Sequence, residues 1–406
     1  MSHTELDGKC GQVKVIHLIP SIGTVPIGTA LVALNLAREQ QARGYEASVW
    51  TLGDPNALEL VSEASGLKAG SVHGFKRCGP QSLCHSSELN RAAHRESTCK
   101  IIHQHGLWTF MSRSTNIMRS SHRLSTVICP HGALQAWALR KSKWKKQIAL
   151  LSYEGKNLRN ATCLHAVGAH EVEAFRDFGL TNPVAVIPVG ISQATLNEEG
   201  SKKRFREKFH IPDDCRVALY LSRITPKKGL PMLMEALDAI RSSLENWKVI
   251  IAGMDEFNHE KEVKELVKCM ALDRIVKFVG PLYDVDKADA FAAAEVFILP
   301  SHSEGNPMVV LEALSFGVPV LTTRGSSWSE LVEERCGWWT EISSESLVAG
   351  LSDALHLTQS ELVAMGERGR ELIRRKYTWD RLAVKTVRLY KWLLEGGTVP
   401  DFVVLG

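Results

Sequence analysis

Short apolar runs alternate with amphipathic stretches along most of the chain. Residues 13–19 are apolar and β-branched and end at Pro20, which is typical of a buried strand. Residues 29–43 repeat apolar side chains at helical spacing and stop at Gly44, as helices often do. Residues 54–95 are less regular, and we expect loops with short helices there. Further strands are predicted at residues 47–52, 100–103, 126–129, 163–167 and 184–187.

A second series of the same kind follows a polar, weakly patterned segment at residues 188–200. Its strands are predicted at 217–221, 247–252, 275–279, 296–299 and 318–322, and its helices at 230–244, 259–270 and 307–316. The predicted fold is therefore α/β, with two Rossmann-like, doubly wound parallel-sheet domains facing each other across a cleft. We place the first domain at residues 1–190 and the second at 200–378, and expect the helix of 379–406 to return to the first domain.

The composition is that of a globular protein. Of the 406 residues, 44% are hydrophobic and 23% charged, which argues against disorder, collagen or a coiled coil as the main architecture. The formal net charge of +4 gives no support to nucleic-acid binding. Nine scattered cysteines without a C-x-x-C pair predict free thiols in a reducing cytosol. Residues 1–11 lack a signal-peptide core, and no apolar run approaches the ~20 residues of a membrane span, so we expect a cytoplasmic protein.

The most informative segment follows the predicted strand at 296–299. Glu304 falls in the loop at the carboxyl end of that strand, Pro307 suits the first position of a helix, and Glu312 lies on its second turn. Because a helix N-terminus attracts phosphate, one short segment can place two carboxylates and an anion site around one ligand. The carboxylates would then accept hydrogen bonds from sugar hydroxyls. On these mechanics alone, a capping Glu304 and a surface Glu312 are an equally good interpretation.

A basic loop follows the predicted strand at 217–221. Arg223, Lys227 and Lys228 precede Gly229, after which a helix opens. Arginine offers a planar fork and lysine a mobile point charge, and together at the end of a strand they suit a diphosphate. Taken alone, a solvated basic loop is the better interpretation.

Together these two segments resemble the retaining glycosyltransferases of family 4, which have the GT-B fold. The hallmark of that family is two glutamates separated by seven residues, matched by Glu304 and Glu312 in a P-S-x-x-E context followed by G-x-P-V. The family pattern R-x-x-x-x-K-G is matched by Arg223, Lys228 and Gly229. Three shorter matches extend the resemblance over nearly the whole chain: His105-Gly-Leu-Trp108, Pro130-His131-Gly132-Ala-Leu134 and Gly337-Trp338-Trp339. The last of these is seen in relatives that build bacterial surface polysaccharides.

The resemblance implies a role for each matched position. Glu312 would hold the ribose of the donor and Glu304 the hydroxyls of the donor sugar, while Arg223 and Lys228 would neutralise the diphosphate. His131 would lie near the transferred sugar and either contact a hydroxyl or stabilise charge at the reaction centre. The implied catalytic set is Glu304, His131, Arg223 and Lys228, and the implied donor-binding set is Gly28, Arg223, Lys228, Glu304, Asn306, Pro307, Met308 and Glu312. The acceptor-side residues would be His105 and Trp108.

Two departures from the family pattern stand out. Many relatives have two adjacent glycines where this chain has Ile27 and Gly28, which puts a close backbone approach at position 27 in doubt. Relatives often have Gly-Phe-Gly where this chain has Gly305, Asn306 and Pro307, and that loop is a candidate for sugar selection.

The resemblance also implies the chemistry. A sugar would pass from a nucleotide diphosphate to a glycan or lipid-linked acceptor with retention of configuration, by front-face attack and without a metal or other cofactor. The products would enter cell-surface polysaccharide or lipopolysaccharide. Two alternatives are a sugar-nucleotide epimerase on the same fold and a non-catalytic protein that binds sugar nucleotides or glycans.

Three further patterns each allow more than one interpretation. Asp284 and Asp286 match a D-x-D metal motif, but Asp286 suits a helix N-cap better. His103 and His105 alternate as metal ligands can, but no third ligand is evident in the sequence. The stretch 137–146 is basic and carries tryptophans, so it predicts either peripheral contact with an anionic membrane or a solvated helix with buried tryptophans.

Overall fold

The computed structural model describes residues 13–23 and 28–406. The predictions for residues 1–11 and for Ile27 fall outside those residues. The chain forms two compact units, one made of Met1–Val189 with Trp379–Gly406 and the other of Gly190–Thr378.

The first unit alternates strands and helices from its first described residue. Its elements are β1 (Lys14–Leu18), α1 (Thr29–Ala42), β2 (Glu46–Leu52), α2 (Pro55–Ala64), β3 (Val72–Phe75), α3 (Ser87–Arg95), β4 (Ile101–His105), α4 (Met111–Ser121), β5 (Ser125–Cys129), α5 (Ala136–Arg140), α6 (Lys143–Ala149), α7 (Gly155–Arg159), β6 (Cys163–Ala166), α8 (Ala169–Asp177) and β7 (Val184–Val186). A π-helical segment, Leu150–Glu154, joins α6 to α7.

The second unit repeats the alternation. Its elements are α9 (Gln193–Leu196), α10 (Lys202–Lys208), β8 (Arg216–Leu221), α11 (Leu230–Ala239), β9 (Trp247–Ala252), α12 (His259–Cys269), β10 (Val276–Gly280), α13 (Asp284–Ala293), β11 (Val296–Leu299), α14 (Met308–Ser315), β12 (Val320–Thr323), α15 (Glu330–Glu333), β13 (Gly337–Thr340), α16 (Ser344–His356) and α17 (Gln359–Lys376). The chain then returns to the first unit as α18 (Trp379–Glu395) and β14 (Val403–Val404).

Both sheets are doubly wound. The first has the order β14-β7-β6-β5-β4-β1-β2-β3, parallel except for the antiparallel pair of β14 and β7. The second has the order β10-β9-β8-β11-β12-β13 and is parallel throughout its described strands. The strand order reverses between β1 and β4 in one sheet and between β8 and β11 in the other. Ligands of such sheets bind beyond the carboxyl ends of the strands at these reversals.

Strand β4 departs from the usual composition of a central strand. Strands covered on both faces are normally continuous apolar runs. In β4, however, His103, Gln104 and His105 are all fully buried. The sequence predicted this strand at 100–103, and the structure places it at Ile101–His105. Each side chain has a hydrogen-bond partner on another element, such as Tyr390 for His103, Ser112 for Gln104 and His17 for His105, so burial does not interrupt the strand.

Several other predicted bounds need correction. The stretch 54–95 contains a strand, β3, as well as helices, because Val72–Phe75 pairs in register with β2. The helix predicted at 230–244 ends at Ala239 and gives way to a 3-10 turn, Arg241–Ser243. Pro307 is the N-cap of α14 and not its first helical residue, with extended backbone angles. Asp286 lies inside the first turn of α13, whose N-cap is Tyr283.

Candidate active site

The strand reversal in the second sheet brings the two motif-bearing loops together. The basic loop follows β8, and the loop of Glu304 follows the neighbouring β11. Gly229 makes this approach possible: its φ is 70°, and a Cβ there would lie 2.0 Å from the carbonyl oxygen of Pro300. The loops are also joined by the amide of His302, which donates to the carbonyl of Lys227 at 2.9 Å.

Lys228 and Glu304 form a buried ion pair at this point. The Lys228 ammonium donates to Glu304 Oε1 at 2.5 Å, and both side chains are less than a tenth exposed. The sequence predicted that both lie at the same edge of the sheet, and the structure places them in direct contact. A buried pair of this kind is a poor source of stability, since desolvation offsets the attraction between the charges. The pair does keep a cation and an anion side by side, and a ligand can take the place of either one.

A second ion pair involves the second turn of α14. Lys287 of α13 donates to Glu312 at 2.6 Å. Burial raises the pKa of Glu312, while the nearby Lys287 ammonium lowers it and Glu198 raises it further. A cavity of about 140 Å³ adjoins the pair. Glu312 is therefore partly buried and lines a small pocket, so it is not the exposed residue of the alternative interpretation.

Arg223 lies in a more open setting. Its guanidinium donates to Glu256 at 2.8 and 3.1 Å, and its side chain is 62% exposed. Such a pair is readily opened, because exposed ion pairs contribute little to stability. Arg223 is thus available to move toward an incoming anion.

The N-terminus of α14 completes the group in the second unit. Pro307 caps the helix, and Asn306 is partly buried just before it. The amides of Met308 and Val309 open the helix, where no preceding turn supplies carbonyl partners. This end of the helix carries positive dipole and suits a phosphate or a hydroxyl oxygen.

In the first unit, His131 occupies the loop after β5. Its backbone is left-handed, with φ of 52°, and Gly132 follows with φ of 78°. Glu171 holds this loop: its carboxylate accepts from the amide of Gly132 and, at 2.8 Å, from the amide of Val167. Burial raises the pKa of Glu171 to about 7. His131 is partly exposed, and its Nε2 lies 3.1 Å from Nδ1 of the buried His105.

A second buried carboxylate holds the loop after β4. Glu154 accepts from the amide of Trp108 at 2.7 Å and from the hydroxyl of Ser112 at 2.9 Å. Trp108 has φ of 66° and donates through its indole nitrogen to the carbonyl of Ala133. His105 lies behind His131 with no exposed surface, so any contact it makes with a ligand passes through His131.

Gly28 lies at the carboxyl end of β1, as the N-cap of α1. Its φ is 53° and ψ −119°, a conformation that side chains rarely adopt. It is therefore suited to a close approach at the N-terminus of a helix.

The histidines of β4 have a neighbour that the sequence did not reveal. Ring nitrogens of His17, His103 and His105 lie within 4.8 Å of one another, as do donor atoms of His105, Cys129 and His131. The statement that no third ligand accompanies His103 and His105 is therefore wrong, since His17 on the adjacent β1 stands beside them. The Asp286 carboxylate of the D-x-D match pairs instead with Lys208 at 2.7 Å.

The basic stretch 137–146 forms two short helices, α5 and α6, separated at Ser142 with φ of 51°. Trp137 is 43% exposed and Trp144 64% exposed. The interpretation as a helix with buried tryptophans is wrong. No helix among the described residues is long and apolar enough to cross a membrane.

Sequence reasoning missed the partners of the motif residues. Lys287, Glu256, Glu171 and Glu154 each contact a predicted site residue or hold its loop. The only sequence signal at Lys287 is its position directly after the D-x-D match. Glu154 ends the π-helical segment and Glu171 lies in α8, and only their complete burial identifies these two glutamates.

Comparison with known families accounts for both units. The family described as "Glycosyl transferases group 1" matches residues 201–372, and the "Glycosyl transferase 4-like domain" matches residues 28–190. The chain belongs to the group 1 glycosyltransferases. This confirms the family inferred from the motifs.

Curated relatives of this glycosyltransferase are distant. The lipopolysaccharide 1,2-N-acetylglucosaminetransferase of Salmonella typhimurium is 26% identical over 211 residues, which cover 49% of this chain and 54% of the relative. The D-inositol 3-phosphate glycosyltransferase 2 of Catenulispora acidiphila is 29% identical over 213 residues, covering 48% of each. The chain thus spans about half the length of the curated relatives it matches.

Solved structures show the fold. The sucrose-phosphate synthase of Thermosynechococcus elongatus superposes with a TM-score of 0.76 at 20% identity, covering 95% of this chain and 100% of that one. Anabaena HepE in complex with UDP and glucose gives a TM-score of 0.73 at 18% identity, covering 93% and 99%. The glycosyltransferase has the GT-B fold, and the predicted fold class is confirmed.

Proposed function

We propose that this glycosyltransferase moves a sugar from a nucleotide-diphosphate donor to a glycan or lipid-linked acceptor, with retention of configuration, in the synthesis of cell-surface polysaccharide or lipopolysaccharide. The observation that carries the proposal is the buried pair of Lys228 and Glu304 beside the N-terminus of α14. A cation, an anion and free amides meet at the strand reversal, where an α/β sheet binds its ligand.

The charges suit the bond that must break. Cleavage of a sugar–diphosphate bond leaves extra negative charge on the diphosphate and positive charge on the sugar. On donor binding, Lys228 and Arg223 turn from their glutamates toward the diphosphate, and Glu304 is released to accept from sugar hydroxyls. Glu312 likewise exchanges Lys287 for the ribose hydroxyls. Prearranged groups aimed at developing charge are usually the largest catalytic term, and one lost donor costs about 2.7–4 kcal/mol.

Retention follows from front-face attack in this proposal. The departing diphosphate takes the proton of the acceptor hydroxyl, so no protein nucleophile is needed. His131 of the first unit supplies a hydrogen-bond partner to the substrate, and Trp108 lies on the acceptor side with His105 behind His131. The similarity to a lipopolysaccharide N-acetylglucosaminetransferase of Salmonella and to Anabaena HepE, whose structure holds UDP and glucose, supports this class of donor and acceptor.

A thermal-shift screen with UDP, GDP, ADP and their sugars tests the donor part of the proposal. Binding raises the melting temperature by mass action, so the correct nucleotide gives a concentration-dependent rise. Lys228→Ala and Glu304→Ala should abolish that rise and the turnover of the sugar nucleotide. The matched control is Lys264→Ala, which removes an exposed lysine of α12 paired with Glu260. Wild-type turnover in both site variants would remove the site assignment.

The stereochemistry is tested on the product. NMR coupling constants at the anomeric carbon should show the configuration of the donor. A product of opposite configuration would contradict the mechanism, and a donor epimerised without an acceptor would identify an epimerase instead.

We also propose that turnover needs no metal. Rates should be the same before and after dialysis against a strong chelator, since lysine and arginine neutralise the diphosphate. A rate lost to the chelator and restored by Mg²⁺ or Mn²⁺ would contradict this.

We propose peripheral membrane contact through residues 137–146. The exposed Trp137 and Trp144 lie among five basic side chains, and Ile148 and Leu151 extend the apolar surface with 58% and 88% exposure. Basic residues attract anionic headgroups, and tryptophan inserts at the interface. The protein should float with phosphatidylglycerol vesicles at low salt, and Trp144→Ala with Leu151→Ser should reduce this. Equal flotation with neutral vesicles would contradict the proposal, and so would a lack of flotation with the anionic ones.

A further inference from the structure

Five histidines of the first unit are joined in one buried chain of hydrogen bonds. They come from three strands of the first sheet and from the loop after β5, and they are His17 (β1), His103 and His105 (β4), His165 (β6) and His131. Gln40 of α1 and Tyr390 of α18 link them. We call these seven residues the histidine relay. All but the partly exposed His131 are buried.

One end of the relay is fixed by a backbone carbonyl. His165 Nε2 lies 2.7 Å from the carbonyl oxygen of Ile187, which can only accept, so this nitrogen carries the hydrogen. In a neutral ring the other nitrogen must then accept. His165 Nδ1 lies 3.0 Å from His103 Nε2, so His103 donates there. His103 Nδ1 in turn accepts from the hydroxyl of Tyr390 at 2.7 Å.

The same order of donors and acceptors continues through the middle of the relay. The Tyr390 oxygen, having donated its hydrogen, accepts from Gln40 Nε2 at 3.3 Å. This fixes the Gln40 amide with its oxygen toward His17, whose Nε2 lies 2.8 Å away and must donate.

The direction then reaches the exposed end. His17 Nδ1 accepts from His105 Nε2 at 3.0 Å, and His105 Nδ1 accepts from His131 Nε2 at 3.1 Å. Every bond of the relay thus has one donor and one acceptor in a single order, and that order leaves Nδ1 of His131 without a hydrogen.

The rings are neutral, as this order requires. Burial lowers the pKa of His17 and of His165 to about 4, and that of His131 to about 3. The pKa values of His103 and His105 lie well below the ordinary value for the same reason. A neutral histidine ring has one donor nitrogen and one acceptor nitrogen. The role of one nitrogen therefore fixes the role of the other, and so the tautomer of the next ring.

We infer that the histidine relay fixes His131 in its Nε2–H tautomer and so presents an unprotonated Nδ1 as a hydrogen-bond acceptor to the substrate. Tyr390 and Gln40 are positioning residues, since they act on His131 only through the intervening rings. The role toward a substrate hydroxyl rests on the proposed function, whereas the tautomer does not.

Tyr390 is the most informative position to change. Without its hydroxyl, the Gln40 amide loses the partner that orients it and is free to rotate by half a turn. Its nitrogen then faces His17, and the order of His17, His105 and His131 reverses, which puts the hydrogen on Nδ1 of His131. Tyr390→Phe should therefore give a mixture of the two His131 tautomers.

The tautomer is read directly by NMR at pH 7.5. In protein labelled with ¹⁵N-histidine, protonated and unprotonated ring nitrogens have well-separated shifts, and the spectrum of His131→Gln identifies the signals of His131. Wild type should show the Nε2–H form alone, and Tyr390→Phe both forms. The matched control is Tyr377→Phe, which removes another buried tyrosine hydroxyl, bonded to Glu330 in the second unit. It should leave the His131 signals unchanged.

A second variant separates the relay from a loss of packing. Gln40→Met in the Tyr390→Phe background places a neutral group that accepts but cannot donate beside His17, and methionine has about the length of glutamine. It should restore the Nε2–H form of His131. Wild-type tautomers in Tyr390→Phe, or no recovery with Gln40→Met, would overturn the inference.

Activity and metal content give independent readings. With the donor found in the thermal-shift screen, Tyr390→Phe should lower kcat about tenfold with little change in donor KM, as for one weakened substrate hydrogen bond. If no donor turns over, the proposed function fails while the NMR result stands. One equivalent of zinc or nickel in protein purified without chelator would overturn the relay, because a metal held by His17, His103 and His105 consumes ring lone pairs that the relay uses.

Discussion

The two units place polar groups at the same point of the same topology, but with opposite chemistry. At its strand reversal the first unit buries neutral rings that hydrogen-bond in one direction, and the second unit holds lysines and an arginine against glutamates. Neutral groups can be buried at little cost when every hydrogen bond is made, and they transmit direction but no charge. Ion pairs cost more to bury and hold charge ready for a charged ligand. The same sheet topology can thus carry a chain of neutral hydrogen-bonded rings in one unit and a set of ion pairs in the other.

The largest expected difference is in the response to acid. For His17 and His165 the pKa in the folded state is about 4 against about 6.5 unfolded, so the unfolded chain binds more protons and stability falls as pH drops below 6.5. At pH 5 each should cost the first unit about 2 kcal/mol. The raised pKa values of Glu312 in the second unit and of Glu171 in the first have the opposite sign, since acid favours their folded forms. Glu171 therefore offsets part of the histidine cost, and the net loss of stability in the first unit comes from its several buried histidines.

Hydrogen exchange read by mass spectrometry at pH 6.5 and pH 5, corrected for intrinsic rates, should show this. Peptides of β1, β4 and β6 should lose protection at pH 5, while those of β8 and β11 should keep it. Equal loss in both units would contradict the assignment of neutral histidines to the first.

The next effect is the loss of one partner from the buried ion pair. Lys228→Ala leaves Glu304 buried without its cation, which should lower the free energy of unfolding by about 3 kcal/mol. The double variant Lys228→Ala with Glu304→Gln should recover most of that loss but none of the turnover. Urea unfolding and turnover of the sugar nucleotide measure the two effects. If the double variant were no more stable than the single one, the loss in Lys228→Ala would not come from a buried, uncompensated charge on Glu304.

A smaller effect is expected at Glu312. Glu312→Gln removes the charge that the proposal assigns to the ribose hydroxyls, so affinity for the nucleotide should fall about tenfold. Calorimetric titration of the nucleotide measures this. The control is Glu260→Gln, which changes a partly buried glutamate of α12 paired with Lys264. Unchanged affinity in the Glu312 variant would place the ribose elsewhere.

The smallest effect concerns the exposed pair of Arg223 and Glu256. Glu256→Gln should change the free energy of unfolding by less than about 1 kcal/mol, because exposed ion pairs contribute little. It should slightly tighten binding of a nucleoside diphosphate at low salt, since Arg223 loses a competing anion, and the gain should vanish at high salt. Weaker binding would show that Glu256 supports the site.

Much of the fold was predictable from local patterns. Strands such as β8 and β9 are short apolar runs that end at small or polar residues, and periodicity identifies them without reference to the rest of the chain. Strand β3 was not predictable in the same way. It carries a histidine and a glycine in four residues, and only pairing with β2 makes it a strand.

The site was predictable in its residues and not in its contacts. Spacing and family resemblance pointed to Glu304 and Lys228, but 76 positions separate them, and no local rule implies a direct bond. The histidine relay shows the limit more strongly. The sequence singled out His103, His105 and His131 only as possible metal ligands or substrate contacts, and the predicted strand ended at residue 103, short of His105. Only the meeting of three strands and two helices gives these residues one common direction.

The position of Tyr390 in the sequence has a consequence for synthesis. His17 and His103 leave the ribosome early, whereas α18 emerges after the whole second unit. At 5–20 residues per second, the roughly 200 residues between Val189 and Tyr390 take on the order of 10–40 s. During that time the first sheet can form while its histidines still lack the hydroxyl that orders them. A nascent chain halted before α18 would thus carry every residue of the sequence motifs, yet its His131 would have no fixed tautomer.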